Sequence, residues 1–243
     1  KYENEERSKQ FKSYINSIKQ REHPFLARLL DAFQDNNKYY IVMEYIEGVT
    51  LKHFVKEEKV LLNEIDALNI GKKISELISY LHNQVSEDFI MISFAASHII
   101  LDKRNNPRFI NFRFDKILFD CKEFNGYISP EEYSGISENL LSSDIYSMGV
   151  LLHYLLTGID PAIKPFKFCP VKKINPSVTG KTSSFISKAT EYNPSARYKN
   201  VTELKEVLNM CLKEAEEHAK SAPSLSVLIK NQNKSTIYSK IIV

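Results

Sequence analysis

The polar residues between Met91 and Glu131 are the ones whose types and spacing could carry chemistry. Ser93 and His98 stand five positions apart, a hydroxyl and an imidazole able to act as nucleophile and base if a third group oriented the ring. No orienting acid is evident, and the plain reading is a satisfied polar pair in a loop. Asn111 offers an amide oxygen, a weaker ligand for a hard dication than a carboxylate, and Asp115 is an acid close by. Cys121, Cys169 and Cys211 are far apart, without CxxC or Cys–His pairing, and so read as reduced structural thiols instead of a zinc or disulfide framework. Between Arg113 and Ile128 there is no serine or threonine, so Tyr127 holds the segment's lone hydroxyl.

These groups need elements to position them. A chain of 243 residues, 43% hydrophobic and 26% charged, has the composition of a globular protein with one large domain or two small lobes. Its formal charge of +3 argues for neither nucleic acid nor an anionic membrane without a local patch, and no such patch is expected. There is no apolar run of about 18 residues and no secretion signal, which leads to an expectation of a cytoplasmic protein. The opening at Lys1 reads as a crop or a processed product.

Phe11, Tyr14, Ile15 and Ile18 recur at helical steps within residues 2–21, and His23-Pro24 ends that helix. Two strands follow, Arg28–Phe33 and Tyr39–Tyr45, with a turn between them and Gly48 closing the pair. A short helix over 51–57 precedes a long one capped by Asn63 and running to His82, apolar around much of its circumference. A hairpin is expected between Ile99–Leu101 and Phe109–Ile110, turning at Asn105, Asn106 and Pro107. From Ser142 the pattern is a helix with a serine cap, an acidic first turn and a terminating Gly158. Helices over 182–191 and 201–219 come after a proline-rich connection, and residues 221–243 are a tail or the start of a further domain.

Three segments, in order, resemble a protein kinase domain of the bacterial serine/threonine type. YYIVMEYIEG at 39–48 is similar to the strand and hinge between the lobes, SDIYSMGVLLHYLLTG at 143–158 to the helix after the activation segment, and NPSARY at 193–198 to the closing arginine motif. The resemblance implies an α+β, protein kinase-like fold: a truncated N-lobe at 1–46 (first helix plus two or three strands) and a mainly helical C-lobe at 47–220. It also implies roles. Met43 falls at the gatekeeper, and Glu44, Tyr45 and Ile46 at the adenine-facing hinge. Asp144 is the aspartate that holds the catalytic loop, and Arg197 pairs with Glu131 of Ser129-Pro130-Glu131. Ile18, Leu29, Met91 and Phe112 fall on the family's stack of apolar side chains.

The groups that touch phosphate, metal or substrate depart from the family's pattern. In the catalytic loop Ser93 stands for the aspartate, Ala95 for the lysine and His98 for the metal-binding asparagine; in the metal loop Asn111-Phe112-Arg113 replaces Asp-Phe-Gly. Tyr14 occupies the place of the first helix's glutamate, and Phe124 that of the threonine before the Ala-Pro-Glu motif. Phosphoryl transfer works by positioning and charge stabilisation, so these losses together imply a pseudokinase with no catalytic residue, no metal site and no cofactor, acting on a protein partner. The alternatives are a divergent serine/threonine kinase using ATP and magnesium through Asn111 or Asp115, and a nucleotide sensor holding adenine at Met43–Ile46.

Overall fold

The computed structural model describes residues 9–35 (apart from 10, 14, 17 and 20), 38–83, 94–110, 126–135 and 140–219. The first helix, α1 (9–19), turns Phe11, Ile15 and Ile18 into the core, where Phe11 packs on Tyr39 with ring centroids 4.7 Å apart. The side chain it meets belongs to an antiparallel pair, β1 (Leu29–Asp35) and β2 (Lys38–Met43), in register from Asp35↔Lys38 to Asp31↔Val42, with a shift before the last pair, Leu29↔Met43. Both strands lie within two residues of their expected limits, although β2 ends before Glu44 and so leaves the hinge residues outside the ladder.

Gly48 is a correction. It does not close the hairpin but opens β3 (Gly48–Thr50), the outer strand of a second sheet with β4 (Ile99–Asp102) and β5 (Pro107–Phe109), all antiparallel. A Cβ at Gly48 would lie 2.0 Å from the Leu101 carbonyl oxygen, so close strand approach is what requires glycine there. This small sheet ties the hinge to the segment that follows the catalytic loop. Residues 25–27 add to it: the Phe109 N–H donates to the Phe25 carbonyl and the Ala27 N–H to the Phe109 carbonyl, each at 2.8 Å.

Below it the chain is helical. Thr50 caps α2 (Leu51–Lys56), and Asn63 Oδ1 accepts from the Asp66 N–H at the start of α3 (Glu64–Asn83). Ala67, Leu68, Ile74, Leu77 and Ile78 of α3 are fully buried, each larger side chain contributing roughly 1.5–3 kcal/mol of burial. A four-residue helix, α4 (Pro130–Tyr133), precedes α5 (Leu140–Thr157), which is apolar on nearly every side and runs through the centre of the lobe. Ser142 does not cap α5, as the sequence pattern predicts, because the helix already begins at Leu140, and its first turn holds no acid. Its end is as expected: Gly158 takes φ +70° and donates its N–H to the Tyr154 carbonyl. Then follow α6 (Val171–Ile174), α7 (Gly180–Ala189), capped by Thr179, and α8 (Val201–His218), which packs along α3.

Candidate functional site

The hinge follows directly from β2. Tyr45 is 82% exposed, whereas Ile46 is buried with Ala27, Ile100 and Ile110, and Met43 packs against this group and the main core. The four apolar residues make a floor joining the hinge to the residue that precedes Asn111. Glu44 is held from two sides. Its N–H donates to the Arg28 carbonyl and its carboxylate accepts from the Arg28 N–H, both at 2.9 Å. The same carboxylate pairs with the Arg108 guanidinium, which also donates to the Leu26 carbonyl at 3.1 Å. Sequence reasoning missed Arg108, because one arginine in a three-residue strand carries no pattern of its own.

Beyond the hinge, Ala95 is buried and precedes a 3-10 turn, Ala96–His98. The His98 N–H donates to the Ala95 carbonyl at 2.8 Å, and the His98 carbonyl accepts from the Ile110 N–H at 3.0 Å. The backbone thus brings His98 beside Ile110, the residue that precedes Asn111. Ser93, Met91, Asn111, Phe112 and Arg113 lie outside the described residues, as do Tyr14, Asp115, Cys121 and Phe124. Among the described residues no group of His, Cys, Asp and Glu side chains is arranged to hold a metal ion.

The helical lobe holds the most elaborate polar cluster among the described residues. Ser129 caps α4, with Pro130 at its first position, which fixes where Glu131 points. Arg197 meets it as a fork: Nη1 to Oε1 at 2.6 Å and Nη2 to Oε2 at 2.8 Å. The guanidinium, fully shielded from water, also donates to the carbonyls of Ser142, Glu191 and Tyr192, and lies 4.7 Å over the Tyr146 ring. Ser143 donates to Glu131 at 3.1 Å. Ser142, expected as the helix cap, and Ser143 are therefore buried partners of this ion pair. Burial pushes the Glu131 carboxyl up, but the hydrogen bonds and charge of Arg197, with Glu131's own backbone N–H and Ser129, outweigh burial and hold it below its ordinary value.

Asp144, next to Ser143 on α5, lies 2.9 Å from Nε2 of His82 on α3. Its expected contact with the catalytic loop falls largely on residues outside those described. Tyr127 is buried, its carbonyl accepting from Ser147 at 2.8 Å, and burial raises its phenol far above the ordinary range. A side chain so placed is a poor phosphorylation target.

The sequence profile of the family described as "Protein kinase domain" matches residues 1–226. The chain is 28% identical over 220 residues to the probable serine/threonine-protein kinase CPE1738 of Clostridium perfringens, covering 83% of this chain and 31% of that protein. It is 29% identical over 216 residues to the serine/threonine-protein kinase PrkC of Bacillus subtilis, covering 81% of this chain and 32% of that one. The chain thus spans about a third of the length of these curated relatives. A crystal structure of the Mycobacterium tuberculosis PknI kinase domain superposes with a TM-score of 0.69 at 16% identity, over 85% of this chain and 79% of the other, which shows a shared fold. With the profile match running through the hinge, the helical lobe and the Glu131–Arg197 cluster, the chain belongs to the protein kinase domain family.

Proposed function

We propose that this chain is a catalytically inactive protein kinase domain, a pseudokinase that serves as a binding or regulatory module. The observation that carries this reading is the set of residues at the reaction positions: Ser93, Ala95, His98 and Asn111 stand where the family's mechanism needs a base carboxylate, a lysine, an amide and a metal carboxylate. Each missing charge contact is worth a few kcal/mol of transition-state stabilisation, and every 1.4 kcal/mol is about a factor of ten in rate. Ala95 adds support, since it is packed in the core and presents no cation to a phosphate. The Glu131–Arg197 cluster supports a module that keeps its shape.

Thermal-shift titration with ATP, with and without magnesium, tests the reading. Without strong metal ligands, magnesium adds nothing to any shift that ATP produces; a magnesium-dependent rise in melting temperature would count against it. A second reading, a divergent serine/threonine kinase that holds metal through Asn111 or Asp115, draws support from the likeness to bacterial serine/threonine kinases over four-fifths of the chain. It requires measurable transfer from ATP.

A further inference from the structure

Residues 161–190 carry six lysines, Lys164, Lys167, Lys172, Lys173, Lys181 and Lys188, and no aspartate or glutamate. The small net charge of the whole chain conceals this run. Lys181 is answered by Glu214 at 3.0 Å and Lys188 by Glu203 at 2.9 Å; the other four have no acidic partner among the described residues.

The same face displays apolar surface. Ile163 is 70% exposed and Tyr192 is 63% exposed. Phe166 stands between Tyr133 and Tyr192, at ring-centroid distances of 5.9 and 6.2 Å, and does so from a left-handed backbone with φ 61°. That conformation costs a non-glycine residue about 1–2 kcal/mol and persists because the surroundings hold it. Phe166, Phe168, Cys169, Thr190 and Tyr192 line a cleft of about 550 Å³, with Lys167 among its walls. The acids nearby are few: Glu191 on the cleft, Glu132 beside Tyr133, and Asp160, whose carboxylate accepts from the Ala162 N–H.

We propose that this surface docks an extended acidic segment of a partner protein, its carboxylates facing Lys164 and Lys167 and an apolar side chain entering the cleft beside Phe166 and Tyr192. Charge complementarity supplies the sign of the partner. The concave, ring-lined shape favours a single peptide segment over a flat anionic membrane, and an exposed apolar patch rimmed by charge is what such a site needs. The proposal uses none of the reaction positions, and stands whether or not the chain transfers phosphate.

The test is fluorescence anisotropy of the full chain with a fluorescein-labelled peptide in which glutamates flank a Phe-Leu pair, beside a twin carrying lysines for the glutamates. Expected are a saturable rise with the acidic peptide alone, weakened by salt, and an affinity lower by about tenfold or more in K164E/K167E and, separately, in I163S/Y192S. All four replaced side chains are exposed, and circular dichroism verifies that both variants are folded. No saturable rise, or binding by either variant as tight as that of the wild type, overturns the proposal. So does co-sedimentation with phosphatidylserine vesicles that K164E/K167E abolishes while the peptide fails to bind, which would assign the surface to a membrane.

Discussion

Replacing Arg197 with methionine removes the fork on Glu131 and, with it, the donors to the carbonyls of Ser142, Glu191 and Tyr192. Breaking a buried pair by removing one partner costs about 3–5 kcal/mol, because a charge is left uncompensated. Glu131 keeps 14% of its side chain in contact with water and still has the Ser143 hydroxyl, so the loss belongs near the lower end, about 3 kcal/mol. For a domain of this size that corresponds to a fall in melting temperature of roughly 6–12 °C. Thermal and urea unfolding of the wild type, R197M, E131Q and the double variant measure it as a cycle. R197M should cost more than E131Q, and the double variant less than the sum of the two. A pH series adds a second reading. The Glu131 carboxyl is depressed in the folded state, so its contribution is complete above its unfolded value, about 4.5, and is lost as pH falls through the lower folded value. A cost below about 1 kcal/mol for R197M, or strictly additive single variants, would refute the view that this cluster clamps the lobe.

Gly48→Ala places a methyl group against the Leu101 carbonyl oxygen and should cost at least about 2 kcal/mol in urea unfolding, far above the few tenths expected at an open turn. His153 is buried, with Nε2 donating to the Cys169 carbonyl at 2.9 Å; burial, only partly opposed by that hydrogen bond, holds its pKa below 6.5. The unfolded chain takes up this proton first, so stability is complete above 6.5 and is lost as pH falls from there toward the folded value. H153Q should flatten that part of the stability profile, while His23, also depressed by burial, retains a share of it.

Much of the fold was legible because its signals are local. Asn63 reads as a cap and is one, and Gly158 ends α5 with the left-handed turn that its position announces. Gly48 shows the limit: a glycine after a strand looks the same whether it turns the chain or lets another strand approach, and its partner Leu101 is far along the sequence. Ser142 misled in the same way, since its hydroxyl is spent on Arg197, as that of Ser143 is on Glu131, and not on a free N–H group at a helix end. The pairs Arg108–Glu44 and His82–Asp144 join residues 64 and 62 positions apart, and no periodicity marks either. Glu131 and Arg197 were paired through likeness to a family, not through physics read along the chain. The lysine run at 161–190 overturns the expectation that the chain has no local basic patch, and the whole-chain charge of +3 conceals it.

Incubation of the full chain with γ-labelled ATP and magnesium, alone and with a generic protein substrate, decides whether the domain transfers phosphate. A pseudokinase incorporates no label into itself or the substrate above that of a heat-denatured control. Incorporation that depends on magnesium and disappears in N111A would contradict that reading and establish the chain as a working kinase.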